Sequence, residues 1–235
     1  MIRVEDDGDV RVVTLDRPER RNALTPAALE ELEAAVTDCA ASVVYLRGAG
    51  AAFCAGADLS TVATVAESDD EAVEPFVRRG QAVADAIEGA SSVVVAGIDG
   101  AARGGGVELA LACDMRLATP DATFGEPGVT FGLFGAWGGT VRLPEVVGMG
   151  DALDFSLSGR VIDAEEALRI GLVSRVVESP RAVAERVAEN DRLALEHVKH
   201  RIRDRRSKSE QEDAEVAAFG ALVEAHADEL RALDE

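Results

Sequence analysis

The sequence VVVAGIDGAARGGGVELA occupies residues 93–110. Its first part, 93–98, is almost entirely apolar and rich in valine, which is typical of a strand that is buried on both faces. A turn rich in glycine and alanine follows, and residues 105–113 then suit a helix. A strand, a small-residue turn and a helix in direct succession are typical of an α/β protein.

The segments around this stretch alternate between strands and helices in the same way. Runs of β-branched residues predict strands, and Thr25 before Pro26 marks a helix start, with threonine as the N-cap. The predicted elements are strand 10–15, a helix from 26, strand 42–47, a mobile loop over 60–75, a helix over 76–88, strand 93–98, a helix over 105–113 and strand 115–118. We predict an α/β core over residues 1–180 and a helical module over 181–235, with helices at 180–203 and 208–233.

The chain has 44 acidic and 24 basic residues, a net charge of -20, and only two lysines, Lys199 and Lys208. Such a charge repels nucleic acids and anionic membranes, so we predict neither as a partner. Acid excess with scarce lysine is also typical of proteins from salt-loving organisms, where salt screens the self-repulsion. The alternative is an ordinary acidic protein. Because the sequence contains no membrane-spanning apolar run and no apolar signal region, we predict a cytoplasmic protein.

Cysteine and histidine are scarce. Cys39, Cys54 and Cys113 lack metal-ligand spacing, which indicates reduced and buried thiols. The three histidines all follow residue 190, and this excludes zinc or nucleophilic chemistry based on histidine in the first 190 residues. We predict no metal site.

A second small-residue turn, GAAFCAGADL at residues 50–59, follows strand 42–47. Small side chains let a ligand approach the main chain closely, and the first N–H groups of a helix have no internal partner. One N–H group from each turn, aimed at a single carbonyl oxygen, would form an oxyanion hole. The alternative for the glycines at 104–106 is tight packing of a helix on a strand. Neither turn has the glycine pattern of a dinucleotide site or a P-loop, and the chain has no G-x-S-x-G elbow.

Several segments together resemble the enoyl-CoA hydratase/isomerase (crotonase) family, in the same order along the chain. They are Arg17-Pro18 with RNAL at 21–24, FCAGADL at 53–59, GGGVELA at 104–110 with Cys113-Asp114, FGEP at 124–127, GGT at 138–140 with Arg142-Leu143, Ser158-Gly159, and Ala164 through GLV at 171–173. The resemblance covers residues 2–180. It implies a spiral of ββα units followed by C-terminal helices that mediate trimerisation.

The resemblance also implies that the chain binds an acyl-coenzyme A substrate and needs no other cofactor. It assigns the oxyanion-hole N–H groups to Ala57 and Gly105. The coenzyme A contacts that it implies are Arg21, Ala23, Ala55, Ala57, Asp58, Leu59 and Gly105. Arginine at positions 20 and 21 suits the phosphates of this ligand on an acidic protein. The implied assembly is a homotrimer or a hexamer made of two trimers.

Glu108 matches the first catalytic glutamate of the family's hydratases. It lies three residues after Gly105, near the start of the predicted helix. Burial would raise its pKa and suit it to proton transfer. The alternative is a glutamate in the first helical turn that only complements the helix dipole.

The family's second catalytic glutamate falls on Gly128, and this departure weakens both the hydratase and the isomerase interpretation. Glu126 is a candidate replacement. If residues 126–128 are extended, these two positions face the same side, about 6.6 Å apart. The alternative is that Glu126 faces solvent or a neighbour. Phe134 and Trp137 replace smaller residues and either line an acyl or aryl pocket or pack in the core.

The predicted function is hydration of a 2-enoyl-CoA to a 3-hydroxyacyl-CoA, with Ala57, Gly105, Glu108 and Glu126 as catalytic residues. One alternative is isomerisation or other enolate chemistry on acyl-CoA. Another is a non-catalytic acyl-CoA-binding protein, which Gly128 favours and Glu108 disfavours.

Overall fold

A computed structural model describes residues 1–68 and 70–232. The strands are β1 (Ile2–Asp7), β2 (Val10–Leu15), β3 (Val43–Gly48), β4 (Ala52–Cys54), β5 (Val93–Ile98), β6 (Ala101–Arg103), β7 (Met115–Ala118), β8 (Thr123–Gly125), β9 (Val161–Asp163) and β10 (Arg175–Val176). The α-helices are α1 (Pro26–Thr37), α2 (Leu59–Glu67), α3 (Val73–Gly89), α4 (Gly105–Ala112), α5 (Gly139–Ser158), α6 (Ala164–Arg169), α7 (Pro180–Ala188), α8 (Arg192–Arg203), α9 (Lys208–Ala225) and α10 (Ala227–Ala232). Short 3-10 helices are Pro18–Arg20, Asp70–Ala72 and Pro127–Phe131.

A six-stranded sheet forms the centre of the fold, in the order β1-β2-β3-β5-β7-β10. Only β1 and β2 pair in antiparallel orientation, and the other neighbours are parallel. All six residues of β5 are buried, which confirms the prediction that this strand is covered on both faces. The strands predicted at 10–15, 42–47, 93–98 and 115–118 all lie in this sheet.

A second sheet of four short strands, β4-β6-β8-β9, stands beside the first. Each of β4, β6 and β8 follows a strand of the large sheet and precedes a helix, so the chain repeats a ββα unit. Strands of three residues carry too little periodicity for prediction, and none of these four was predicted. The α/β class and the ββα spiral are confirmed.

The prediction of a mobile loop over residues 60–75 is wrong, because most of this segment is helical. The side chain of Asp58 accepts a hydrogen bond from the N–H group of Ser60 at 2.9 Å and caps α2. Pro75 lies in the first turn of α3, where proline is tolerated because no hydrogen bond is lost. The prediction gave too much weight to the acidic residues and to this proline.

Between residues 180 and 232 the structure has four helices, α7 to α10, rather than the predicted two. The predicted helix over 180–203 is interrupted because Asp191 caps a new helix, accepting from the N–H group of Ala194 at 2.8 Å. The predicted helix over 208–233 breaks at His226, and its last residue lies outside the described residues. No helix in the described part of the chain is both long and apolar enough to cross a membrane.

A buried ion pair fixes α8 to the core. Lys199 is 6% exposed, and its ammonium lies 2.9 Å from the carboxylate of Asp114. The ammonium also donates to the carbonyl oxygen of Ser92 at 2.9 Å. Arg203, one helical turn further, donates to the other oxygen of Asp114 at 2.9 Å. The first part of the C-terminal module is therefore bound to its own chain.

We predict that Lys199→Met lowers the free energy of unfolding by about 2–3 kcal/mol, since the Asp114 carboxylate loses its buried partner. The loss stays below that of an isolated buried pair because Arg203 still contacts Asp114. The matched control is Lys208→Met, because Lys208 is the only other lysine and its side chain is 88% exposed. Urea unfolding measures both variants. Equal stability of the two would contradict the anchoring of α8 by this pair.

Candidate functional site

The two glycine-rich turns meet in the structure. Gly56, in the first turn, has a φ angle of +85°. A Cβ atom placed on Gly56 would lie 2.7 Å from the amide nitrogen of Gly105 in the second turn. Only glycine tolerates both this φ angle and this contact. Ala57 directly follows Gly56, so its amide nitrogen is covalently next to the point where the turns converge.

The N–H groups of Ala57 and Gly105 are both free to bind a ligand. Gly105 is the first residue of α4, so its N–H group has no partner within the helix. Within residues 1–68 and 70–232, neither of these two N–H groups donates to another atom. A carbonyl oxygen between them would accept two hydrogen bonds at the positive end of a helix dipole, which is the arrangement of an oxyanion hole.

Asn22 holds the first turn in place. It is 1% exposed and has a φ angle of +58°. Its side-chain amide donates to the carbonyl oxygens of Ala52 at 2.7 Å and Ala49 at 2.9 Å, and also to that of Phe53. In the sequence, Asn22 is recognisable only as part of the RNAL motif at 21–24. Its role depends on carbonyl groups about thirty positions away, which no local pattern reveals.

The residues assigned to coenzyme A lie on one hydrogen-bonded unit. The N–H group of Ala55 donates to the carbonyl oxygen of Arg21 at 2.9 Å, and that of Leu24 donates to Gly56 at 2.8 Å. The side chains of Arg21 and Leu59 are exposed, whereas Ala23 and Ala55 are half-buried. The segment from Arg21 to Leu24 is therefore bound to the turn that precedes Ala57.

Asp58 differs from the other predicted contacts because its carboxylate is already bound. It is 5% exposed and pairs with the guanidinium of Arg17 at 2.5 Å. Hydrogen bonds from Ser60, followed by that from Arg17, lower the pKa of Asp58 to about 2. The carboxylate of Asp58 therefore joins the loop before α1 to the start of α2. Its main-chain groups are also occupied, because its N–H group donates to Leu24 and its carbonyl oxygen accepts from Val62, so Asp58 supports the turn and offers no free group to a ligand.

Glu108 is buried in the interior, and the main chain holds its carboxylate. The residue is 2% exposed. The N–H groups of Trp137 and Gly139 donate to its Oε1 atom at 2.8 and 2.7 Å. Burial raises the pKa of Glu108, while these two donors and then Arg142 act in the opposite direction. Glu108 is thus a buried carboxyl group held by the main chain, and it does not simply complement the helix dipole from the surface.

Two glycines make room for this carboxylate. A Cβ atom on Gly135 would lie 2.7 Å from the Cδ atom of Glu108, and one on Gly139 would lie 2.8 Å from its Oε1 atom. Any larger residue at either position would therefore displace the carboxylate. In the sequence, Gly139 belongs to the GGT motif at 138–140, but nothing local indicates that it makes room for Glu108.

Glu126 is also buried, so the interpretation that it faces solvent is wrong. It is 8% exposed, and its carboxylate has no hydrogen-bond partner in the part of the chain that the structure describes. Burial, followed by the negative charge of Glu108, raises the pKa of Glu126 to about 8. Among the described residues Glu108 has two N–H donors and Glu126 has none, so Glu108 is the more easily ionised of the two carboxyl groups and Glu126 holds its proton more strongly.

Residues 126–128 are not extended, so the condition under which positions 126 and 128 would face the same side is not met. Strand β8 ends at Gly125, and a 3-10 helix begins at Pro127, so the alternation of a strand does not relate positions 126 and 128. A Cβ atom on Gly128 would lie 2.9 Å from the carbonyl oxygen of Leu133 and 3.0 Å from the Cα atom of Phe134. The backbone around Phe134 therefore excludes a glutamate at position 128.

Phe134 and Trp137 have different surroundings. Phe134 is 69% exposed and lines an apolar cavity of about 250 Å³. Trp137 is 3% exposed and packs against Gly105, with its ring 6.3 Å from that of Phe76 in an edge-on arrangement. Phe134 thus lines a pocket, and Trp137 belongs to the core. The cavity has Glu126 at its wall, and its apolar lining includes Val129, Leu143, Pro144, Met149, Ala152 and Leu153.

The three cysteines are all free. Cys54 and Cys113 are fully buried, which confirms the prediction for these two, whereas Cys39 is only half-buried. Burial raises the pKa of both buried thiols to about 12. No group of three or more metal-binding side chains occurs among the described residues.

Comparison with known proteins gives consistent matches. The family model described as enoyl-CoA hydratase/isomerase matches residues 5–229. The short-chain-enoyl-CoA hydratase of Clostridium acetobutylicum is 37% identical over 210 residues, covering 85% of this chain and 79% of the relative. The crotonyl-CoA hydratase of Syntrophomonas wolfei is 37% identical over 187 residues, covering 77% of this chain and 71% of the relative.

Solved structures match over nearly the whole chain. An enoyl-CoA hydratase from Bacillus anthracis superposes with a TM-score of 0.91 at 33% identity, covering 99% of this chain and 95% of that one. An enoyl-CoA hydratase from Thermoplasma volcanium superposes with a TM-score of 0.89 at 30% identity, with 99% and 96% covered. The similarity extends over the C-terminal helices as well as the sheets.

We predict that Gly139→Ala lowers the free energy of unfolding by about 1–3 kcal/mol, because its methyl group enters the space of the Glu108 carboxylate. The matched control is Gly150→Ala in the part of α5 that follows the kink at Gly148, where a Cβ atom would meet nothing within 4 Å. This control should be neutral or slightly stabilising. Urea unfolding measures both, and a neutral Gly139→Ala would contradict the close fit around Glu108.

Proposed function

The chain belongs to the enoyl-CoA hydratase/isomerase family, and from this premise we propose that it hydrates 2-enoyl-CoA thioesters to 3-hydroxyacyl-CoA. One observation carries the proposal. The turns that carry the free N–H groups of Ala57 and Gly105 meet at Gly56, and the buried carboxylate of Glu108 lies one helical turn beyond Gly105. The substrate itself brings the coenzyme A, and the proposed reaction requires no other cofactor.

In the proposed reaction, the thioester oxygen accepts hydrogen bonds from Ala57 and Gly105. Addition at C3 moves electron density onto this oxygen, so an enolate develops there. The two N–H groups are fixed by the fold and stabilise the enolate more than the neutral thioester, which is the condition for acceleration. The same feature would assist any reaction that passes through an acyl-CoA enolate.

Glu108 and Glu126 divide the proton transfers between them. The Glu108 carboxylate takes a proton from water as the water oxygen bonds to C3, and the neutral Glu126 gives its proton to C2. The net result is addition of one water molecule across the double bond. A proton then passes from Glu108 to Glu126 and restores the starting state. The opposite hydrogen-bonding environments of the two side chains support this division of roles.

The substrate's two ends match two surfaces of the chain. The apolar cavity beside Glu126 and Phe134 suits an uncharged acyl chain. Arg20 and Arg21 are exposed and, in the described part of the chain, have no carboxylate partner. They are therefore available to the phosphates of coenzyme A, even though the chain as a whole has 44 acidic residues.

Isomerisation of an enoyl-CoA is the second candidate, because it needs no water and can proceed with a single proton-carrying group. Because the backbone near Phe134 excludes a carboxylate at position 128, the second acid must come from Glu126 or be absent. Moving one proton along the acyl chain requires only one base, and Glu108 supplies it. Hydration remains the preferred function because Glu126 provides a second, neutral carboxyl group.

The C-terminal helices support assembly into a homotrimer, or a hexamer of two trimers, as a further part of the proposal. No residue of α9 is buried, and Val216 and Phe219 on this helix are 75% and 71% exposed. A helix with such an apolar surface is typical of an interface. The cytoplasmic location, the halophilic source and the division at residue 180 stay predictions from the sequence.

We predict that Glu108→Gln lowers kcat for short 2-enoyl-CoA substrates at least 100-fold, because an amide cannot accept the proton from water. Hydration is followed by loss of absorbance of the conjugated thioester. A 3-enoyl-CoA is tested in parallel, and its conversion without hydration of the 2-enoyl-CoA would favour isomerisation. Tight binding of both esters without turnover would instead indicate a non-catalytic acyl-CoA-binding protein.

We predict that kcat/KM of the parent protein falls as the pH rises through about 8, because Glu126 then loses the proton that it donates. Glu126→Gln should be at least tenfold less active at pH 7. A glutamate introduced at position 128 is unsuitable as a complement, since the backbone around Phe134 would have to move.

The pH dependence of stability distinguishes a catalytic role of Glu126 from simple burial of its side chain. The pKa of Glu126 is higher in the folded protein than in the unfolded chain. At a pH between these two pKa values, the folded state keeps a proton that the unfolded state releases. The free energy of unfolding therefore falls as the pH rises through this range. Glu126→Gln removes this loss, so the variant should gain stability over the parent between pH 5 and pH 9. If this gain appears while activity is unchanged, Glu126 is buried but not catalytic.

A further inference from the structure

The thiol of Cys54 lies between Asn22 and Gly56. Its Sγ atom donates to the carbonyl oxygen of Asn22 at 3.3 Å, and it accepts a hydrogen bond from the N–H group of Gly56, also at 3.3 Å. Cys54 is 0% exposed. Burial raises its pKa to about 12, so the sulfur keeps its hydrogen and remains a donor at neutral pH.

Both ends of this hydrogen-bonded chain are fixed. At one end, the Asn22 side chain binds three carbonyl oxygens of the segment that leads into the turn. At the other end, Gly56 packs so closely against the second turn that a Cβ atom on it would lie 2.7 Å from the amide nitrogen of Gly105. The sulfur is the only side-chain atom that contacts the Gly56 N–H group among the described residues. A change at the sulfur is therefore transmitted to Gly56 and to the next peptide group, which carries the Ala57 N–H.

We propose that Asn22 and Cys54 are positioning residues that hold Gly56 so that the N–H group of Ala57 points at the thioester oxygen. The inference rests on the proposed function, because it concerns the direction of one oxyanion-hole donor. Neither side chain needs to touch the substrate. Small displacements of a catalytic group reduce rates strongly, so this hydrogen-bonded chain should affect turnover more than binding.

Three variants separate positioning from packing. Cys54→Ala removes both hydrogen bonds, whereas Cys54→Ser keeps one donor and one acceptor. Cys113→Ala is the matched control, because Cys113 is equally buried but its thiol donates only to Leu109, within its own helix. Thermal unfolding confirms that each variant is folded.

Two measurements report on the Ala57 N–H group. The first is the hydration of a short 2-enoyl-CoA, with kcat and KM determined separately. The second needs no turnover: hexa-2,4-dienoyl-CoA is bound to the protein, and the shift of its absorbance to longer wavelength reports polarisation of the thioester carbonyl. A purely structural loss would not move this shift in correctly folded protein.

We expect Cys54→Ala to lower kcat about tenfold or more, with KM changed less than about threefold, and to reduce the absorbance shift. Cys54→Ser should recover kcat to within about threefold of the parent protein. Cys113→Ala should leave both measurements unchanged. The proposal is overturned if Cys54→Ala keeps the parent's kcat and shift, or if Cys113→Ala shows the same losses.

The outcomes also distinguish this inference from the proposed function. A parent protein that shifts the absorbance of the bound dienoyl thioester but does not hydrate 2-enoyl-CoA would refute hydration, while the shift in the Cys54 variants would still test positioning. A parent protein that binds the thioester without any shift would show that the two N–H groups do not polarise the carbonyl. That result would overturn the positioning role.

Discussion

The close approach of Gly56 to the amide nitrogen of Gly105 determines the rest of the site. It brings a turn of one ββα unit against a turn of the next, and it requires glycine at position 56, because a Cβ atom there would lie 2.7 Å from that nitrogen. The free N–H groups of Ala57 and Gly105 therefore belong to two turns that meet. The side chain of Asn22 and the capping carboxylate of Asp58 stabilise the first turn in this position. The hydrogen bond from the N–H group of Leu24 to Gly56 does the same.

The second constraint is electrostatic, because two carboxyl groups are buried close together. A low-dielectric interior disfavours two adjacent negative charges. Main-chain geometry separates the two groups: the N–H groups of Trp137 and Gly139 both donate to Glu108, and within the described residues no donor reaches Glu126. The two carboxyl groups therefore differ in how strongly each holds its proton, which is the difference that the proposed division into a base and an acid requires.

The sequence predicted the features that depend on local pattern. The long strands, the helix starts at Thr25 and Gly105, and the two turns follow from residue type and spacing, and the family was identified from its ordered motifs. The convergence of the turns, the space that Gly135 and Gly139 leave for Glu108, and the burial of Glu126 depend on contacts between distant segments. The error over 60–75 arose for a related reason, since the Asp58 cap that starts α2 also pairs with Arg17, 41 positions earlier.

The glycine at position 128 then follows from the packing. In the family resemblance, that position carries the second glutamate, and its loss alone would suggest a protein that binds but does not react. The structure shows that the lost side chain is replaced by backbone, because the segment at Leu133 and Phe134 occupies the adjacent space. The same segment places Phe134 at the wall of the cavity that Glu126 also lines. Gly128 and Glu126 are therefore linked: the loop that excludes a carboxylate from one position encloses the neighbouring carboxyl group in an apolar cavity, where it stays protonated.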